Sequence, residues 1–143
     1  MTAKECLKQM VRLESTIKAK RKRAAALRQL AQSIGSSSQD GMPKNQDRSS
    51  SPMTNAICKA IDLENEIKKD EKKLQMQKMH LLDVIGRLEN VDEQTVLIKR
   101  CFEHESWEKI VRSLCYSSSW VYQLHGQALE KLNELINFDF FSK

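Results

Sequence analysis

The chain has 143 residues, only four Gly and two Pro among them, and its aromatics are four Phe, two Trp and two Tyr. That composition suits helices and argues against a sheet, so the expected class is all-α, one ordinary domain or a small one with an extended appendage. The formal charge of +5 is unevenly spread: residues 1–34 hold nine Lys/Arg against two Asp/Glu, 35–53 and 54–90 each balance, and 91–143 hold six basic against eight acidic residues.

No apolar run approaches the ~20 residues that span a bilayer, which argues against a membrane protein. Cys6, Cys58, Cys101 and Cys115 form no close pair of the zinc-binding kind and follow no secretory signal, so reduced thiols in a cytoplasm are expected.

From Ala3 to Ile34 one set of positions recurs every seven residues, Ala3, Met10, Ile17, Ala24 and Ala31, interleaved with Cys6, Leu13, Lys20, Leu27 and Ile34. This is a coiled-coil seam interrupted at Lys20, and such a helix needs a partner. Lys18, Lys20, Arg21, Lys22 and Arg23 crowd together, either as a solvated face or as a contact for DNA phosphates or an acidic partner. Gly35 is expected to end the helix, and the polar run 35–53 to form a mobile loop.

Thr54 is the expected cap of a second long helix reaching about Asn90, with Ala60, Ile67, Leu74, Leu81 and Leu88 at seven-residue spacing. Ile57, Leu63, Val84 and Ile85 widen that stripe, while Asp70 and Gln77 narrow it. The simplest pairing is a long antiparallel helical hairpin within residues 1–90, which brings Glu64, Glu66, Asp70 and Glu71 near the basic part of the first helix. Parallel association of two copies through either seam, giving a homo-oligomer, is the competing arrangement.

Residues 91–143 read as a separate three-helix head. Asp92 or its neighbour is expected to cap a helix from Glu93 to about Glu103, with Val96, Leu97, Cys101 and Phe102 on its apolar face. Ser106 caps a short helix carrying Trp107, Ile110, Val111 and Leu114; Cys115-Tyr116-Ser117 makes a turn; and Val121, Leu124, Ala128, Leu129 and Leu132 mark the buried stripe of a longer helix. Beyond it lie Leu135, Ile136, Phe138, Phe140 and Phe141, an aromatic tail that either folds back on the head or docks on a partner.

With Val121, Leu124 and Ala128 turned inward, a step of ~100° per residue puts Ser119, Gln123 and Gly126 outward, flanked by Ser118, Trp120, Tyr122 and Gln127. Gln can bond an adenine edge twice, Ser can donate or accept at several bases, and Trp or Tyr can lie against sugar or a thymine methyl. Lys99, Arg100, Lys109 and Arg112, with Trp120 and Gln127, are candidate DNA-backbone contacts, and each Lys or Arg reads equally well as a solvated helix residue. His125 adjoins the buried side of its helix and reads as a packed structural histidine.

Catalysis is not expected. No nucleophile is paired with a base, no Gly-rich phosphate loop occurs, and Glu103 with Glu105 are helix-end acids. Cys101, His104 and Cys115 can be imagined as metal ligands, but Cys101 sits on an apolar stripe where a thiol acts as a small hydrophobe, so neither metal nor cofactor is expected.

The run from about Glu93 to Leu132 resembles region 4 of bacterial sigma factors, the promoter-reading helix-turn-helix. The resemblance is carried by Leu97 and Phe102, by Ser106-Trp107-Glu108-Lys109-Ile110, by Ser117, and by Val121, Leu124, Ala128-Leu129 and Leu132. With its charged hairpin, the whole chain is similar to short phage and prophage sigma-like regulators of the ArpU type. The resemblance implies a sequence-specific transcription regulator in the bacterial host cytoplasm, with double-stranded DNA and RNA polymerase as partners and with Ser118, Ser119, Tyr122 and Gln123 at base-contacting positions. Sigma sequences are rich in Arg and Glu there, whereas this chain is formally uncharged from Ser117 to Gln127, His125 aside, so promoter specificity does not carry over. Two other readings fit the layout: a small-terminase-like recognition subunit for phage DNA packaging, and a protein-interaction module without DNA binding.

Overall fold

The computed structural model describes residues 2–37 and 51–142, and every regular element among them is helical. The elements are α1 (Ala3–Ser37), α2 (Pro52–Ile85), α3 (Val91–Leu97) continued by a π-helical turn (Ile98–Phe102), α4 (Trp107–Leu114) and α5 (Ser118–Ser142). Most of the loop expected at 35–53 lies outside the described residues, as do the side chains of Phe140 and Phe141.

Local chemistry explains the helix starts. Thr2 and Glu5 form a capping box on α1, the Glu5 amide donating to Thr2 Oγ1 at 3.1 Å and the Thr2 amide to Glu5 Oε2 at 3.0 Å. α2 opens two residues before the expected Thr54: Pro52 occupies the first helical position, where no amide proton is missed, and Ser51 Oγ accepts from the Thr54 amide at 3.4 Å. Gly35 does not end α1, which runs on to Ser37. α2 stops at Ile85 instead of near Asn90, because Gly86 and Arg87 close a turn through amides donated to Leu82 O and Val84 O. α3 is capped by Asn90 and not by Asp92, Asn90 Oδ1 accepting from the amides of Asp92 at 2.9 Å and Glu93 at 3.4 Å.

The chain divides into two compact units, Arg12–Gln75 (the central unit) and Met1–Val11 with Met76–Lys143 (the terminal unit). The division falls inside the two long helices and not at residue 90, because the ends of α1 and α2 supply core to the terminal unit.

In the central unit Ile17, Ala24, Leu63 and Ile67 form a buried cluster flanked by Leu13, Leu27 and Leu74. Arg28 donates to Glu64 at 2.7 Å, and Arg21 bonds Glu71. Seven residues back along α1 match seven forward along α2, so the two segments run in opposite directions. Lys20, which interrupts one seam, meets Asp70, which interrupts the other, at 2.6 Å. The hydrogen bond to Asp70 raises the Lys20 pKa, and the Arg28 bond holds the Glu64 carboxyl below its ordinary range.

In the terminal unit the core comprises Ala3, Leu7 and Met10 of α1, Leu81, Val84 and Ile85 of α2, Leu88, Val96 and Leu97, Ile110 of α4, and Val121, Leu124, Ala128, Leu132 and Ile136 of α5. The Ala3 amide donates to Asn133 Oδ1 at 3.0 Å, tying the start of α1 to α5. Glu93, only 1% exposed, accepts from Lys131 Nζ at 2.9 and 3.1 Å, which joins α3 to α5 and pairs both oxygens of this buried carboxylate. None of the described helices is long and apolar enough to cross a membrane.

Candidate nucleic-acid interface

Ser106 Oγ accepts from the Lys109 amide and starts α4, whose apolar side turns Ile110 fully inward. α4 ends at Cys115, which adopts the left-handed conformation at φ 59° and lets its amide close on Val111 O at 3.1 Å. Ser117 Oγ then accepts from the Trp120 amide at 3.2 Å and α5 begins. Three residues thus separate the two helices. Tyr116 fastens this turn to α3 by donating its hydroxyl to Asp92 Oδ2 at 2.8 Å, a bond that raises the Tyr116 pKa.

Val121, Leu124 and Ala128 are buried, and the helical step puts Ser118, Ser119, Trp120, Tyr122, Gln123 and Gln127 in solvent. Gly126 lies on the same exposed side, where an added Cβ would meet nothing within 4 Å. A shallow groove between α4 and α5 is lined by Trp107, Glu108, Val111, Arg112, Ser118 and Tyr122. These side chains offer uncharged donors and acceptors, which can meet base edges, next to one exposed guanidinium, Arg112, and one exposed carboxylate, Glu108.

Trp107 organises this surface in a way its position in the apolar stripe does not reveal. Its half-buried ring meets Tyr122 edge-on at 5.0 Å and His125 at 4.9 Å, while the Arg100 guanidinium lies 4.7 Å from its centroid. Burial first, then the nearby Arg100, lowers the His125 pKa and favours the neutral imidazole in the fold. The π-helical turn and the left-handed His104, at φ 57°, carry Arg100 to this place, where Nη1 also donates to Glu105 O at 3.0 Å.

Of the four cations proposed for DNA phosphates, two are therefore engaged internally. Arg100 lies on Trp107, and Lys99 sits 3.6 Å from Glu105 and 4.0 Å from Glu103. Lys109, 68% exposed and 3.9 Å from Glu105, and the exposed Arg112 remain open to solvent. Cys101 is turned inward, and burial pushes its thiol up to about 11, so it is protonated near neutrality and behaves as a small hydrophobe. No group of three potential metal ligands occurs among the described residues.

No protein-family model, curated protein or solved structure matches the chain.

Proposed function

We propose that this chain is a sequence-specific DNA-binding transcription regulator of phage derivation, built as an antiparallel helical hairpin carrying a helix-turn-helix head whose reading helix is α5. The observation that carries the reading is the exposed row Ser118, Ser119, Tyr122 and Gln123 on the first turns of a helix held from behind by Val121, Leu124 and Ala128. Helix-turn-helix proteins read the major groove with residues near the start of the second helix, and uncharged hydroxyl and amide groups there can discriminate bases. Lys109 and Arg112, with Trp120 and Gln127, are the proposed backbone contacts around that helix. RNA polymerase is the proposed second partner, and the bacterial host cytoplasm the proposed location.

One observation favours a second reading, an interaction module that does not bind DNA: residues 91–143 carry more acidic than basic side chains, and Lys99 and Arg100 are held internally. In-vitro selection of the full chain on a random duplex pool separates the two. An enriched motif whose preference at one base pair disappears in Gln123→Ala supports the regulator, and a pool with no enrichment supports the interaction module. Mapping of bound DNA in cells then separates sites upstream of late operons from a single packaging-start site.

A further inference from the structure

We propose that four lysines of the central unit, Lys18 and Lys22 on α1 and Lys68 and Lys72 on α2, form a contact for the phosphate backbone of duplex DNA.

The ion pairs of this unit sort its charges. Lys20 is taken by Asp70, with Glu66 at 3.6 Å; Arg21 by Glu71; and Arg28 by Glu64. The four lysines are exposed and make no ion pair among the described residues, and the acid that acts on Lys68, Glu64, is already bonded to Arg28.

Their placement follows from the Arg21–Glu71 bond. Lys18 and Lys22 stand three residues before and one after Arg21, and Lys68 and Lys72 stand three before and one after Glu71. On either helix those offsets turn a side chain outward from the bonded residue by roughly 60° and 100° in the same sense. Because the segments run antiparallel, the two sets fan out to either side of the Arg21–Glu71 bridge, Lys18 and Lys68 flanking it and Lys22 and Lys72 turned further round toward the outer edges of the paired helices. The face of the seam opposite the bridge differs: Arg23 and Lys59 share a groove there with Asp62 and Glu66.

Lys18–Lys22 and Lys68–Lys72 are both like-charged i,i+4 pairs, an arrangement that weakens a helix and is relieved by an external anion. Each pair spans ~6 Å of helix, against a duplex that carries one negative charge per ~1.7 Å of axis. No aromatic residue lies among them to stack an unpaired base, and most apolar side chains of both helices in this unit are spent on the shared seam, Leu30, Met53 and Ile61 being the large ones left exposed, so neither a single strand nor a lipid surface is as well matched.

The choice of DNA rests on the function proposed above, and the test separates the two. Full-length chain and the variant Lys18→Gln/Lys22→Gln/Lys68→Gln/Lys72→Gln are titrated over several salt concentrations onto a random duplex and onto the selected duplex. A charge-matched control, Lys4→Gln/Lys8→Gln/Arg12→Gln/Lys59→Gln, and Gln123→Ala are run alongside. Each lost phosphate contact lowers the salt slope by about 0.9, so the four-lysine variant should lose roughly two to four units of slope and about tenfold or more in random-duplex affinity. The control should lose much less, and circular dichroism should show both variants helical. An unchanged slope, or equal losses in variant and control, overturns the lysine contact while a base preference lost in Gln123→Ala leaves the regulator reading standing. A full chain that binds phosphatidylserine vesicles or polyglutamate through these lysines but no duplex overturns the contact as well.

Discussion

Cys115 shows how much can rest on one backbone angle. Its left-handed φ of 59° is what lets α4 stop and α5 start within three residues. An L-residue there costs ~1–2 kcal/mol, against ~0.5–1 kcal/mol of extra chain entropy that glycine must surrender. Cys115 is exposed and its thiol has one weak bond, to Arg112 O at 3.7 Å, so Cys115→Gly should raise the melting temperature by a few degrees and Cys115→Val should lower it.

His125 predicts a pH response. Its pKa is depressed below the ordinary 6.5, so the neutral ring is the form that suits the fold. The corresponding stability is complete above 6.5 and declines as pH falls from 6.5 toward the depressed value. Thermal melts of His125→Gln should show a flatter profile across that window.

Gln123 belongs to the same scale. Exposed on α5, it contributes little to stability, so Gln123→Ala should melt almost unchanged while losing about 1–3 kcal/mol at one position of the selected DNA site. Val121→Asp, by burying a carboxylate without a partner, should unfold the terminal unit and abolish binding of every kind. Equal DNA selectivity in folded Gln123→Ala and the parent chain would remove Gln123 from the reading face.

At the scale of elements, α1 and α2 are weakly amphipathic strips that acquire identity from their pairing. Lys20 in one strip and Asp70 in the other would each be a flaw alone, and together they answer one another at 2.6 Å. Lys20→Leu should therefore destabilise the central unit by stranding Asp70, and Asp70→Leu should destabilise it less, because Lys20 keeps Glu66 at 3.6 Å. Lys20→Leu/Asp70→Leu should recover most or all of the loss, which urea titration of the three variants would measure. A double variant no better than the sum of the singles would show that the two residues do not act as a pair.

The whole molecule has its own consequence, because the terminal unit takes core from both ends of its long helices. A chain beginning at Val91 lacks Ala3, Leu7, Met10, Leu81, Val84, Ile85 and Leu88, all buried in that unit. The large apolar side chains in that set each contribute about 1.5–3 kcal/mol when buried, and a domain of ordinary stability has only about 5–15 kcal/mol in all. The shortened chain should show no cooperative melt. Residues 1–11 joined through a short Gly-rich turn to 76–143 should restore one, and a cooperative transition in the chain from Val91 would refute the shared core.

Composition and local pattern by themselves determined the all-helical class, the seven-residue seams, the cap at Ser106 and the inward face of α5, because each is set by residue type and by neighbours within a turn or two of the same helix. The resemblance quoted at Ser106–Ile110, Ser117 and Val121–Leu132 added a DNA-reading expectation for the outward face. Only the tertiary structure decided which acids meet Lys20, Arg21 and Arg28, and hence which lysines are left without partners, since ion pairing depends on the register between helices far apart in sequence. The same holds for Arg100, whose sequence neighbours do not reveal that a π-helical turn carries it onto Trp107 and away from a phosphate. It holds too for the boundary between units: the pattern breaks at Asn90, but the core does not, because side chains bury themselves against whatever packs on them and not where a helix happens to end.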